Sequence, residues 1–224
     1  MHTWYLTPSS ATRGSTVWLI VVAAMVLAGC TATQQRWSQA QHQVLDLKPG
    51  DLEAGGIAFL TPFTVTGQEE DRQPLALAFV SAVRDQRPNL RVLGLSETLS
   101  AINRAALTAD YQRMLLTYRD TGAFDPEILH RIGEAVGVRY VGQLKLPHFS
   151  QWAKERFGVL GLSIIQTPSA NIRIYLQIWD SEEGDIAWEG QNELTTAFET
   201  PAETTVPFEN IVRECAAELV ARLP

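Results

Sequence analysis

Asn171-Ile172-Arg173-Ile174-Tyr175-Leu176-Gln177-Ile178-Trp179 alternates without a break. Ile172, Ile174, Leu176 and Ile178 fall on one side; Arg173, Tyr175, Gln177 and Trp179 fall on the other. A period of two marks a half-buried strand, so the aliphatic set reads as core-facing and the second set as outward-facing. Asp180-Ser181-Glu182-Glu183-Gly184 then turns the chain, and Ile186 and Trp188 resume the buried side of a second strand. The two strands make an antiparallel hairpin. Glu182, Glu183 and Asp185 lack EF-hand spacing, and a solvated turn accounts for them.

Upstream of the hairpin, strands and helices intersperse. Gly56-Ile57-Ala58-Phe59-Leu60-Thr61-Pro62-Phe63 reads as a buried strand stopped by Pro62. Pro74 suits a first helical turn, and Leu75, Phe79, Val80 and Val83 follow at helical spacing, with Glu69-Glu70-Asp71 facing the dipole of that helix. Arg91-Val92-Leu93-Gly94-Leu95 is a second strand, after which Ser96 caps a helix carrying Leu99 and Ile102. Tyr111, Met114, Leu115 and Tyr118 mark another helix that ends before Thr121-Gly122. Asp125-Pro126-Glu127 is an N-cap, an N1 proline and a first-turn acid, and the stripe Ile128, Leu129, Ile132, Val136 runs from it to a left-handed stop at Gly137. Val138 to Leu146 is a third strand. After the hairpin, Phe208, Ile211, Val212, Cys215, Ala216 and Leu219 share one face of a closing helix that begins near Pro207. The order β-α-β-α-α-α-β, a hairpin, then α predicts an α/β (α+β) fold: a mixed β-sheet with a C-terminal antiparallel hairpin and helices packed on it.

The amino-terminal segment has a different character. Arg13 precedes an unbroken apolar run, Val17 to Ala28, with no acidic residue before it. A positive n-region, a short apolar h-region and a small-residue cleavage site compose a secretory signal, and the run is too short for a spanning helix. Leu27-Ala28-Gly29-Cys30 resembles the lipobox of bacterial lipoproteins. The resemblance implies cleavage before Cys30, lipidation of its thiol and acylation of its freed amine by palmitate or a similar chain. Several acyl chains suffice for stable attachment to a lipid bilayer. In that family Thr31 implies sorting to the outer membrane, with the domain facing the periplasm. Residues 1–29 are therefore expected to be the signal peptide, 30–54 the lipidated cysteine and a polar tether, and 55–224 a single periplasmic domain. Trp37, Val44, Leu45 and Leu47 offer points at which part of the tether docks.

Removing 1–29 leaves 224 − 29 = 195 residues and a charge of 17 − 25 = −8. Acidic balance without a basic block argues against nucleic acid as a partner. Cys215, the second of only two cysteines, sits on the apolar face of the closing helix, where a free thiol acts as a small hydrophobe. His42, His130 and His148 have no metal-ligand spacing, so no metal is expected. Phosphate loops of the G-x-x-x-x-G-K or G-x-G-x-x-G kind and the G-x-S-x-G elbow are absent, so no cofactor and no catalytic residue is assigned.

Three stretches resemble one superfamily. They are Ile57 to Phe63, Ile132-Gly133-Glu134-Ala135-Val136-Gly137-Val138-Arg139-Tyr140-Val141-Gly142, and Leu176-Gln177-Ile178-Trp179-Asp180 through Gly184 to Gly190. Together they look like the periplasmic α/β domain shared by CsgG-like curli-secretion lipoproteins, the N-terminal domain of TolB, and lipoprotein activators of penicillin-binding proteins. The resemblance implies a cell-envelope protein that is not an enzyme and works by protein–protein interaction. The partner is an unidentified periplasmic or outer-membrane protein, or further copies of the chain in a homo-oligomer. Two other functions stand beside it: a subunit of an oligomeric outer-membrane secretion channel, and a peptidoglycan-related enzyme. A channel of the curli type needs two added membrane hairpins, for which 147–170 and about 191–206 are the candidates. The first contains Trp152, Phe157, Leu160, Leu162 and Ile164 with Phe149, Val159 and Ile165. It reads either as an exposed loop touching a partner or the membrane, or as an extra strand or flap packed on the sheet.

Overall fold

The hairpin anticipated from Asn171–Trp179 is the centre of the sheet. The structure, a computed structural model, describes residues 35–65, 69–159, 162–197 and 205–224, with the backbone alone over 154–159 and 162–166. In chain order the elements are β1 (Gln35–Val44), α1 (Asp51–Gly55), β2 (Ile57–Phe59), β3 (Phe63–Thr64), α2 (Arg72–Gln86), β4 (Val92–Leu93), α3 (Leu95–Arg104), α4 (Thr108–Thr121), α5 (Pro126–Val136), β5 (Tyr140–Val159), β6 (Leu162–Asp180), β7 (Ile186–Ala197) and α6 (Phe208–Val220). The sheet order is β1-β7-β6-β5-β2-β4, and β3 also pairs with β5. β2 lies parallel to β4 and β5, whereas β5, β6, β7 and β1 are successively antiparallel. Helical crossovers supply the parallel half and tight turns the antiparallel half, as the connections require. This is the mixed sheet with packed helices expected from the sequence.

Both faces of the sheet carry a core. Ile172, Ile174, Leu176 and Ile178 are buried in one cluster with Phe79 and Val83 of α2 and Ile211, Val212, Cys215 and Leu219 of α6. On the opposite face Val141 and Trp179 are buried with Tyr111, Met114 and Tyr118 of α4 and Leu129 and Ile132 of α5. The expectation that Gln177 and Trp179 face outward is corrected: they are 6% and 4% exposed. The α4–α5 end of that face is covered, so the alternation places Gln177 and Trp179 under helices and leaves Arg173 exposed.

The boundary signals of α5 act as read. Asp125 accepts hydrogen bonds from the amides of Glu127 (3.0 Å) and Ile128 (3.2 Å), and Gly137 ends α5 at φ 69°, a left-handed conformation that costs glycine little. Ser96 does not cap α3. Gly94 occupies the N-cap, Glu97 returns to its amide, and Leu99 is exposed while Thr98 is buried.

The largest correction concerns the expected tether. Gln35–Val44 is an edge strand paired along its whole length with β7, and Asp51–Gly55 is a short helix, so the fold begins well before Gly55. β1 shows no apolar periodicity because backbone pairing, not burial, holds it: most of its residues are exposed. Leu47 does dock, at 2% exposure, whereas Trp37, Val44 and Leu45 stay exposed.

Candidate functional site

Over the described residues of 147–170 the reading as added strand holds, not the reading as a loop. β5 and β6 run through it as one antiparallel ribbon, with strands of 20 and 19 residues. At about 3.4 Å per residue each strand is roughly 65 Å long. β7 pairs with β6 only from Ser169 onward, and β3 pairs with β5 no farther than Leu146. Beyond those points neither strand pairs with any further strand among the described residues, although Phe149 of β5 packs edge-on against Phe208 of α6. Pro147 lies where the register shifts between Lys145 and His148, a place where a residue without an amide hydrogen is tolerated.

Among the residues singled out for contact, Trp152 is on β5 and 40% exposed. Phe157 pairs with Ile165, Leu162 pairs with Val159, and Ile164 lies in β6 between them. Leu160 lies outside the described residues. So do Leu27, Ala28, Gly29 and Cys30, together with 198–204 of the second candidate hairpin. The described part of that second stretch is β7, which continues the sheet to Ala197.

Sequence reasoning missed an open polar face beside the ribbon. Ser38 donates from its hydroxyl to Glu218 of α6, and the Gln151 amide donates to the Val206 carbonyl on the same side, 2.6 Å away. Their neighbours Trp37 and Trp152 therefore share the other side, beyond the reach of α4 and α5. Rows of paired residues cross this face from β1 to β5. Trp37, Thr195, Asn171 and Ser150 form one row, and Arg173 pairs with Glu193 in the next. The Asn171 amide donates to the Thr195 hydroxyl (2.8 Å) and to Glu193 (3.2 Å), while the Arg173 guanidinium donates to Glu193 through both Nε (3.0 Å) and a terminal nitrogen. The Arg173 hydrogen bond, then that of Asn171, hold the Glu193 carboxyl below its usual range. Glutamine and arginine at alternate positions were the available signal, but period two does not tell which outward positions a helix will cover.

Where the face meets α4, polar groups are partly enclosed. The Tyr175 hydroxyl donates to Glu189, the Gln177 amide also donates to Glu189 (3.2 Å), and the Tyr118 hydroxyl donates to Gln177. Lys145 Nζ lies 4.6 Å from the Tyr118 ring centroid and 5.5 Å from that of Tyr175. Burial pushes the Lys145 ammonium below its ordinary value, opposed by the Glu189 charge. Burial, followed by the hydrogen bond and charge of Glu189, pushes Tyr175 up. These groups brace α4 on the sheet; a cation over two rings and a shared carboxylate fix side-chain positions at the edge of the open face.

The opposite end of the sheet holds an open groove of about 560 Å³, lined by His130, Glu134, Arg139, Tyr140, Ser181 and Glu182 among others. Arg139 donates twice to Asp180, at 2.8 and 2.6 Å, and lies 3.3 Å from Glu182. That hydrogen bonding raises the Arg139 pKa still further. His130 is exposed, with Nδ1 3.2 Å from the Ser181 carbonyl. Glu182, Glu183 and Asp185 are exposed residues of the β6–β7 turn. Among the described residues no group of three or more His, Cys, Asp or Glu is placed to hold a metal ion. Cys215 is fully buried, and burial pushes its thiol up to about 12.

No family model matches the chain, and no curated protein matches it. Solved structures similar to it include the PelC dodecamer from Paraburkholderia phytofirmans, at 10% identity over 84% of this chain and 97% of that one, with a TM-score of 0.47. The lipoprotein GNA1162 from Neisseria meningitidis is similar at 14% identity over 75% of this chain and 98% of that one, with a TM-score of 0.43. The C-terminal domain of LpoB from Salmonella enterica is similar at 14% identity over 62% of this chain and 82% of that one, with a TM-score of 0.33.

Proposed function

We propose that this chain is a non-enzymatic, lipid-anchored protein of the bacterial envelope that works by presenting its α/β domain to a protein partner in the periplasm. The observation that carries the reading is Leu27-Ala28-Gly29-Cys30 closing the apolar run from Val17. Among the described residues no helix is long and apolar enough to cross a membrane. On this reading attachment rests on the Cys30 lipid, and Thr31 directs the protein to the outer membrane.

The start of β1 at Gln35 tightens the proposal. Cys30 precedes Gln35 by 35 − 30 = 5 residues, which span at most about 18 Å when extended. With Cys30 acylated, the β1 edge of the sheet is held close to the headgroups, and 1–29 would be absent from the mature protein. Cys30→Ala should abolish incorporation of labelled palmitate and release the domain from the membrane fraction. Unchanged labelling contradicts the proposal.

The ribbon favours one alternative. Two strands that outrun their neighbours in the sheet could pair with ribbons of further copies, giving a subunit of an outer-membrane secretion channel. Native mass spectrometry of detergent extract separates the readings: a closed ring of many copies supports the channel, and a monomer supports the anchored single domain.

A further inference from the structure

We propose that the open face of the sheet between Trp37 and Trp152 binds an uncharged glycan strand, a role separate from lipid anchoring and from contact with a protein partner. Trp37 is 52% exposed and Trp152 40% exposed, and both lie on the side of the sheet away from α6. They stand on β1 and β5 with β7 and β6 between them. Three inter-strand steps of about 4.8 Å and an offset of two residues put their Cα atoms roughly 16 Å apart, the reach of a short oligosaccharide. The row of Trp37 continues through Thr195, Asn171 and Ser150, which are half-buried and smaller than either indole, and Trp152 stands in the next row beside the buried Ser169. Two aromatic walls therefore flank a shallow polar floor.

The chemistry of that floor selects the ligand. Indole faces take the C–H faces of sugar rings, and a platform of hydroxyl, amide and carboxylate groups takes their hydroxyls. Asn171, Thr195, Arg173 and Glu193 are already bonded laterally to one another, so their remaining donors and acceptors are held in place before a ligand arrives. A protein partner of ordinary kind needs an apolar centre with a polar rim. This face has the reverse arrangement, with aromatic groups at its margins and polar groups in the middle. Among the described side chains of this face the cations Lys145 and Arg173 are matched by the anions Glu189 and Glu193, so its polar floor favours no sign of charge.

The test uses the full chain in a zwitterionic detergent that carries no sugar, titrated with chitotetraose and cellotetraose by calorimetry and by tryptophan fluorescence. Saturable binding of either, retained in 0.5 M salt at roughly the same affinity, is the expected result. Trp37→Ala and Trp152→Ala should each weaken it about tenfold or more, as loss of a central aromatic contact does, while leaving the thermal midpoint within a few degrees of the parent. Trp37→Phe should recover part of the loss. Absence of saturable binding to both oligosaccharides overturns the proposal. So does binding that both alanine variants retain, or binding that disappears in salt. Because Cys30→Ala protein should bind the sugars as the parent does, failure of the anchoring reading and failure of this one are distinguishable.

Discussion

Gly133→Ala offers a sharp test of the packing of α5, because the helix and the site predict opposite signs. In a helix interior, replacing glycine by alanine ordinarily stabilises by about 1 kcal/mol. Here a Cβ on Gly133 would lie 2.1 Å from Ser181 Oγ and 2.7 Å from Ser181 Cβ, inside any tolerable contact. Ser181 cannot move freely. Its hydroxyl donates to the Arg139 carbonyl at 2.7 Å, its amide donates to the same oxygen at 2.9 Å, and its own carbonyl faces His130. Overpacking costs roughly 1–3 kcal/mol, and forcing the hydroxyl away loses a hydrogen bond worth about 1 kcal/mol. Against the helical gain, the variant should lose about 2 kcal/mol, which for a domain of this size lowers the melting temperature by roughly 4–8 °C. Thermal and urea unfolding of Gly133→Ala, Ser181→Gly and the double variant should show the double losing at least about 1 kcal/mol less than the sum of the singles. A Gly133→Ala protein as stable as the parent or more so, or strictly additive losses, would refute the close approach of α5 to the β6–β7 turn.

Other expectations follow from single groups. Asp125→Ala removes the acceptor for two amides at the start of α5 and should cost about 1 kcal/mol in urea unfolding, with Asp125→Asn recovering much of it. Burial is the leading cause that raises Tyr111, Tyr118, Tyr140 and Tyr175 above the ordinary value of 10.0. Raised folded values contribute stability that is fully present below pH 10.0 and is lost as pH climbs through them, so absorbance at alkaline pH should show these four ionising late and together with unfolding. A normal titration of any of them in folded protein contradicts its placement. Cys215, buried and shifted to about 12, should resist thiol reagents at neutral pH until denaturant is added, whereupon one equivalent reacts.

Legibility in the sequence tracked the strength of local physics. The hairpin core, the α5 boundaries at Asp125 and Gly137, and the buried stripe of α6 rest on periodicity and caps, and the structure has each in place. β1 was missed because its ten residues bury almost nothing; an edge strand held by a neighbour's backbone leaves no trace in its own side chains. The ribbon was left open between two readings for a related reason: its pairing is set by a partner strand, and dense apolar sequence in 157–165 suits a loop that touches a partner as well as the added strand it is. The open face was legible only in half. Alternation named Arg173 and Tyr175 as outward residues, but Trp37 joined them through β7, a neighbour far away in the chain.

The account depends most on the acylation of Cys30. Mass spectrometry of the intact protein purified from membranes measures it directly. The account predicts an amino terminus at Cys30 carrying a diacylglyceryl thioether and an acylated amine, with 1–29 gone. A native protein that begins at Met1, or a Cys30 without lipid, contradicts it.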